Sequence, residues 1–411
     1  MSSKLVIIGA GFAGVWSALS AKRLINLKRK DGESKDIEVI VIAPEPSLVL
    51  KPRLYEANAS SMFHPVGPLF KDAGITFIQG NAEAIDTDGH TIEVHTPSGN
   101  CLSVTYDRLI LAAGSTVVRP PVVSGLQRYA FDIDSLASAT KLESHLRTLL
   151  ATLPSTPARN TIVVCGAGFT GIELAAELPG RFPNTRIVIV DIADEIGPEL
   201  GKRPRPAIAK ALNRLGVEVK LGSAVTSIDA GGVCLGLGER IDAMTVVWTA
   251  GVRATPLTRH IPGPKDSLSR LHVDQDLRVP PSRHVFATGD AARALTDTEG
   301  HYTLMSCQHA IELGRVSGYN AAADLLNEPT VPYSQPTYVC CLDLGAAGAV
   351  IGKGWERKVL LSGGLAKKVK AYINQKLIYP PLNADEAIAA AGPVVAWTWI
   401  GHLIGFVWAL L

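Results

Sequence analysis

Charge and cysteine are both scarce in this chain. Asp, Glu, Lys and Arg together make 19% of its 411 residues, below the roughly 25% usual for soluble domains. The two signs nearly cancel, at net +2, so the basic footprint of a general nucleic-acid binder is missing. Six cysteines lie at 101, 165, 234, 307, 340 and 341, and none forms a C-x-x-C or C-x4-C pair. A zinc ribbon and a redox-active dithiol loop are therefore excluded, and a secreted disulfide framework would need a higher density. No metal site is expected. The adjacent Cys340 and Cys341 read as two small residues on a buried strand, because neighbouring cysteines bridge only under strain. Glycine (38) and proline (26) follow no triplet period, which excludes collagen. The N-terminus, MSSKLVIIGAG, has no basic region leading into an apolar stretch and cleavage site, so no signal peptide and a reducing compartment are expected.

Apolar residues, by contrast, are abundant. They make 47% of the chain, and the mean hydropathy is +0.19, which hints at contact with membrane. At about 150 residues per domain, the length suggests two or three domains.

Two glycine motifs organise the chain. Residues 4–8, KLVII, run into Gly9-Ala10-Gly11-Phe12-Ala13-Gly14, and Val15 to Leu27 has helical character. IEVIVI at 37–42 is the next strand. The same order recurs: TIVVC at 161–165, then Gly166-Ala167-Gly168-Phe169-Thr170-Gly171, then a helix and a strand at 186–190. In such a turn the first glycine permits the bend. The second lets the backbone approach a pyrophosphate, and the third lets the helix pack on the strand. The helix N-terminus then offers unpaired N–H groups to the phosphates. One such turn is weak evidence; two in strand-turn-helix context mark two nucleotide-binding units.

The end of each second strand selects the nucleotide. Asp191 follows IVIV about 20 residues after the second fingerprint, where a carboxylate accepts from a ribose diol and repels a 2′-phosphate. No Arg or Lys occupies 192–196, so NADH rather than NADPH is expected. The first unit reads Ile42-Ala43-Pro44-Glu45, with Glu45 the nearest carboxylate to a ribose. Two further signatures are YDRLILAAGS at 106–115, an apolar strand ending at Ala113-Gly114, and VFATGDAA at 285–292. In the latter, Gly289-Asp290 can meet a sugar hydroxyl and a phosphate.

The order of these segments, with VVWTAGV at 246–252, resembles the two-dinucleotide flavoproteins among pyridine-nucleotide oxidoreductases. Within them the chain is similar to type II NADH dehydrogenases, the single-chain NADH:quinone oxidoreductases. Lys51-Pro52-Arg53-Leu54-Tyr55-Glu56 looks like that family's K-P-x-L-x-E, Trp248 to Val252 its W-T-A-G-V, and Ser306-Cys307-Gln308-His309-Ala310 falls at its A-Q-x-A. Two departures stand out: Glu312 replaces the second glutamine, and the acid directly after the first unit's second strand is absent.

The resemblance implies an α/β fold with two Rossmann-like dinucleotide-binding domains. A FAD-binding domain over 1–125 and 265–330 is split by an NADH-binding domain over 126–264, and a C-terminal segment covers 331–411. FAD would meet Gly9, Gly11, Gly14, Glu45, Lys51, Ala113, Gly114, Gly289, Asp290 (on the ribityl chain), Cys307 and Gln308. NADH would meet Gly166, Gly168, Gly171, Asp191 and Gly251. Glu173 would lie near nicotinamide and flavin, and Gln308 and His309 at a helix N-terminus beside the flavin, these three being the catalytic residues expected. Electrons would pass from NADH through FAD to a membrane quinone without proton pumping. The alternatives are a soluble reductase serving a protein acceptor or oxygen, and a slow-turnover NADH-sensing flavoprotein like relatives of apoptosis-inducing factor.

The C-terminus reads by itself. Ala387 to Leu411 contains no Asp, Glu, Lys or Arg, and residues 342–380 carry seven basic against two acidic side chains. A peripheral anchor on the cytoplasmic side of a membrane is expected over 387–411, with Lys367, Lys368, Lys370 and Lys376 facing anionic headgroups. A buried domain helix or a homodimer seam is the other reading of this tail.

Overall fold

The computed structural model describes residues 2–32 and 35–393. Three units follow from three strand patterns. The first is a parallel sheet in the order Val285–Ala287, Arg108–Leu111, Ser3–Ile8, Ile37–Ala43, Thr76–Gln79. Its central strand is buried on both faces, with Leu5, Val6 and Ile7 at 0% exposure. This is why it reads as an unbroken apolar run rather than an alternation. Each such side chain contributes about 1.5–3 kcal/mol when fully buried. Val285–Ala287 returns to this sheet from far along the chain and pairs with Arg108–Leu111.

The second unit repeats the plan. Its parallel sheet runs Glu218–Lys220, Arg186–Val190, Thr161–Cys165, Thr245–Trp248. Each parallel sheet is accompanied by a three-stranded antiparallel one, Asn81–Asp86, Thr91–His95 and Cys101–Thr105 in the first unit, and Val225–Asp229, Gly232–Leu235 and Arg240–Asp242 in the second. The two chain crossings between the units pair with one another, Ser115–Val117 antiparallel to Val252–Ala254.

Helix Phe12–Lys30 after the first fingerprint packs on helix Cys307–Leu326 through bare glycine. A Cβ on Gly318 would sit 2.0 Å from the Ser17 carbonyl oxygen, and one on Gly314 2.4 Å from that of Ala13. Ser17 and Ser317 share a buried hydroxyl–hydroxyl bond at 3.0 Å across the same seam.

The third unit is an antiparallel sheet, Val339–Asp343, Ala349–Lys353 and Lys358–Gly363, followed by helix Gly364–Tyr372. Cys340 and Cys341 lie on its first strand with free thiols, as their adjacency suggests. The expected tail needs two corrections. Ala384–Ala390 is a short helix capped by Asn383, and Ala387 and Ala391 are wholly buried in the main core. The start of the tail therefore packs on protein. Lys370 is 5% exposed, and Lys367 pairs with Asp343 and Glu177, so neither faces headgroups; Lys368 and Lys376 are exposed. Residues 394–411 lie outside the described residues. No described helix is long and apolar enough to cross a membrane.

Candidate active site

Both glycine turns leave the carboxyl ends of their central strands and open on one cleft of about 2140 Å³. At Gly9 the backbone needs φ +112°, and a side chain there would lie 2.4 Å from the Ala112 carbonyl oxygen. Gly14 brings its helix against the turn, since a Cβ would lie 1.9 Å from the Gly9 carbonyl oxygen; Gly166 and Gly171 repeat this pair. Gly14 and Gly171 thus set the helix close to the strand without lining the cleft, whereas Gly9, Gly11, Gly166 and Gly168 line it.

Carboxylates stand at the expected places around these turns. Asp191 accepts from the Ala167 N–H at 2.5 Å and the Ala193 N–H at 2.8 Å, which locks its side chain beside the second turn. Glu45 is exposed and lines the cleft. Asp290 accepts from the Ser115 hydroxyl at 2.6 Å. Burial pushes its carboxyl up, against the pull of that hydrogen bond. Lys51 donates to the Ser115 carbonyl and to Asp134, both at 2.9 Å. Ser115 therefore links the cation and the half-buried acid. Ala113, Gly114, Gly251 and Gly289 also line the cleft.

The deepest charge in the cleft wall is Glu173, in the first turns of helix Phe169–Arg181 and 3% exposed. Its Oε1 lies 3.1 Å from Lys370 Nζ and accepts from the Asp343 N–H at 2.9 Å. Burial pushes its carboxyl up to about 7, with Lys370 and the Asp343 amide pulling the other way. Burial alone would lower Lys370. The charge of Glu173 outweighs it, and the ammonium is held above its ordinary range. Lys370 also donates to the Cys341 carbonyl at 2.8 Å. Asp343 in turn accepts from Tyr55 at 3.0 Å and pairs with Lys367. All three units thus meet at this point: Tyr55 from the first, Glu173 from the second, Asp343, Lys367 and Lys370 from the third.

Helix Cys307–Leu326 presents its N-terminus to the same cleft, capped by Ser306. Gln308 Oε1 accepts from the Val339 N–H at 3.3 Å, which fixes its carboxamide on the cleft wall. The Cys307 thiol lines the cleft and is raised by burial. Burial likewise pushes Cys340 to about 11 and Cys341 to about 12, so all three thiols stay protonated and weakly nucleophilic. His309 departs from expectation. It is 0% exposed and is not part of the cleft wall. Its Nδ1 accepts from the Leu304 N–H at 3.1 Å, and its ring stacks on Tyr338 at 4.9 Å. Burial pushes its pKa down to about 3, so it stays neutral and supports the loop before the helix. One turn beyond Gln308, Glu312 pairs with Arg315 at 2.8 Å, and that guanidinium lies over the Trp16 ring.

Lys370, Asp343, Tyr55 and Ser115 escape a reading by motif. Tyr55 and Ser115 sit inside recognised segments, but only the fold shows what they touch. Among the described residues no group of three or more His, Cys, Asp or Glu is arranged to hold a metal ion.

The residues present fit two dinucleotides: two glycine cradles at helix N-termini, a carboxylate beside each, and a half-buried acid, Asp290, on the same cleft wall as the first. The family model for pyridine nucleotide-disulphide oxidoreductases matches residues 3–314. The NADH dehydrogenase-like protein Rv1812c of Mycobacterium tuberculosis is 43% identical over 405 residues, spanning 96% of this chain and 99% of its own. The type II NADH:quinone oxidoreductase Ndh of the same organism is 29% identical over 70% of this chain and 67% of its own. The structure of NDH2 from Plasmodium falciparum in complex with NADH superposes with a TM-score of 0.75, at 15% identity, over 95% of this chain and 97% of that one. The chain belongs to the pyridine nucleotide-disulphide oxidoreductase family, in its type II NADH dehydrogenase group.

Proposed function

We propose that the protein oxidises NADH through FAD and reduces a membrane quinone, without pumping protons. The observation that carries the acceptor is the lining of the cleft. Besides Gln308 and Lys370 it is lined by Trp16, Ile311, Ile373, Leu377, Ala389 and Pro393. That apolar wall extends to the point in the chain where the uncharged tail begins, which suits an acceptor dissolved in lipid. Attachment at the cytoplasmic membrane surface through the uncharged C-terminal stretch, with the exposed Lys368 and Lys376 meeting anionic headgroups, belongs to the same proposal.

FAD, when bound, supplies hydride acceptance from NADH and two-electron transfer to the acceptor. Asp290 and Ser115 would hold it on the first cradle, with Lys51 beside them. Asp191 would hold the NADH ribose. Reduction of a quinone by NADH consumes one proton from solvent. Glu173 is the acid placed to hold it: Oε1 takes both the Lys370 and Asp343 bonds, which leaves Oε2 for the proton. Lys370 and the N-terminus of helix Cys307–Leu326 set a positive potential on the cleft wall, and the apolar lining residues keep water from the acceptor.

The test is to narrow the cleft at this apolar lining. Ala389→Trp should suppress turnover with a short-chain quinone while NADH still bleaches the flavin at the wild-type rate. Unchanged quinone turnover would place the acceptor elsewhere.

A further inference from the structure

The two fingerprints share the frame G-A-G-F-x-G, yet their cradles differ. No protein atom lies within 4 Å of the place a Cβ would take on Gly11. At the matching Gly168 that place is 2.8 Å from Glu199 Oε1. The same oxygen accepts from the Phe169 N–H at 2.7 Å, one of the donors a pyrophosphate would use at this helix start. Glu199 sits on the turn Pro198–Leu200, between Gly197 at φ +56° and Gly201 at φ +76°. The turn is tied to the cradle by the Gly197 N–H on the Ala167 carbonyl at 2.9 Å, and Leu200 anchors it in the core at 2% exposure. Among the described residues no basic side chain forms an ion pair with Glu199, so the helix N-terminus is what answers its charge.

We propose that Glu199 is an internal competitor for NADH: its carboxylate holds the phosphate position of the second cradle and must swing away for the nucleotide to bind. This rests on the reading that NADH occupies the second fingerprint. It separates the two sites by use. The cradle assigned to a resident cofactor is open, and the one assigned to an exchanging substrate is latched. Glu199 is exposed, so its side chain can swing to another rotamer while Leu200 and the Gly197 hydrogen bond hold the turn in place.

The FAD-loaded full-length protein tests this by anaerobic stopped-flow bleaching of the flavin, which yields a Kd for NADH and a limiting rate. Glu199→Gln and Glu199→Ala should both lower that Kd, by about 3- to 10-fold, with the change carried by Kd rather than by the limiting rate. Without nucleotide the Tm of Glu199→Ala should fall, because a helix cap is lost. Tighter binding with lower stability is the signature of the latch. A lower Tm with unchanged or weaker NADH binding would make Glu199 a structural cap and overturn the proposal. If NADH fails to bleach the wild-type flavin at all, the assignment of the second fingerprint falls as well. Bleaching with one Kd across all three proteins overturns the latch alone.

Discussion

Glu173 and Lys370 come from different units of the chain and meet 3.1 Å apart, with the first 3% and the second 5% exposed. A carboxylate and an ammonium this deep are retained at a cost in desolvation that neither repays alone. Both line the cleft onto which the two glycine turns open, and this gives the pair its meaning.

Glu173→Gln separates the two half-reactions. The carboxyl, pushed up to about 7, is protonated below that pH and charged above it. Quinone reduction by the wild type should fall as pH rises through about 7, and the variant should be slow, by about 10²-fold, and flat across that range. Stability carries the same sign. The unfolded carboxyl titrates near 4.5, so the folded state binds more protons between about 4.5 and 7, and stability falls as pH rises through that window. Thermal melts of the variant should lack this slope. Parallel pH profiles for both proteins would remove Glu173 from the proton step.

The proposed preference for NADH rests on Asp191. It is held by two backbone N–H groups, and Ile192 beside it is 72% exposed on the cleft. Asp191→Ser with Ile192→Arg should reverse the preference, lowering the NADH-to-NADPH ratio of kcat/KM by roughly 10- to 100-fold. An unchanged ratio would show that the ribose lies elsewhere.

The glycine seam between the first helix and helix Cys307–Leu326 sets the distance between the first cradle and Gln308. Gly318→Ala would place a methyl group 2.0 Å from the Ser17 carbonyl, where backbone must give way. Urea unfolding should report a loss of about 1–3 kcal/mol, accompanied by weaker retention of FAD. Wild-type stability would mean the seam opens without strain.

Much of this was legible before any coordinates, because glycine turns at strand ends are local chemistry. Gly9 and Gly166 each declare themselves within a few residues of their own strand, and Asp191 at the end of the strand that follows the second turn. Gln308 and Glu173 reached the cleft through motif order. His309 did not, since a helix's first turn points side chains both toward and away from the site, and the sequence carries no sign of which. Lys370 was lost among the basic residues of 342–380. Its partner lies nearly 200 residues away, and a run of lysines looks solvated until the fold buries one of them. Ala387 was hidden in the same way, since an alanine at the head of an apolar tail fits lipid and core alike.

The central claim is turnover from NADH to quinone, and anaerobic NADH oxidation by the purified, FAD-loaded protein, with and without a short-chain quinone, tests it most directly. The account predicts rapid, continuous NADH consumption only when quinone is present, with flavin bleaching alone in its absence. Bleaching that no quinone reverses would contradict it and leave a reductase for some other acceptor.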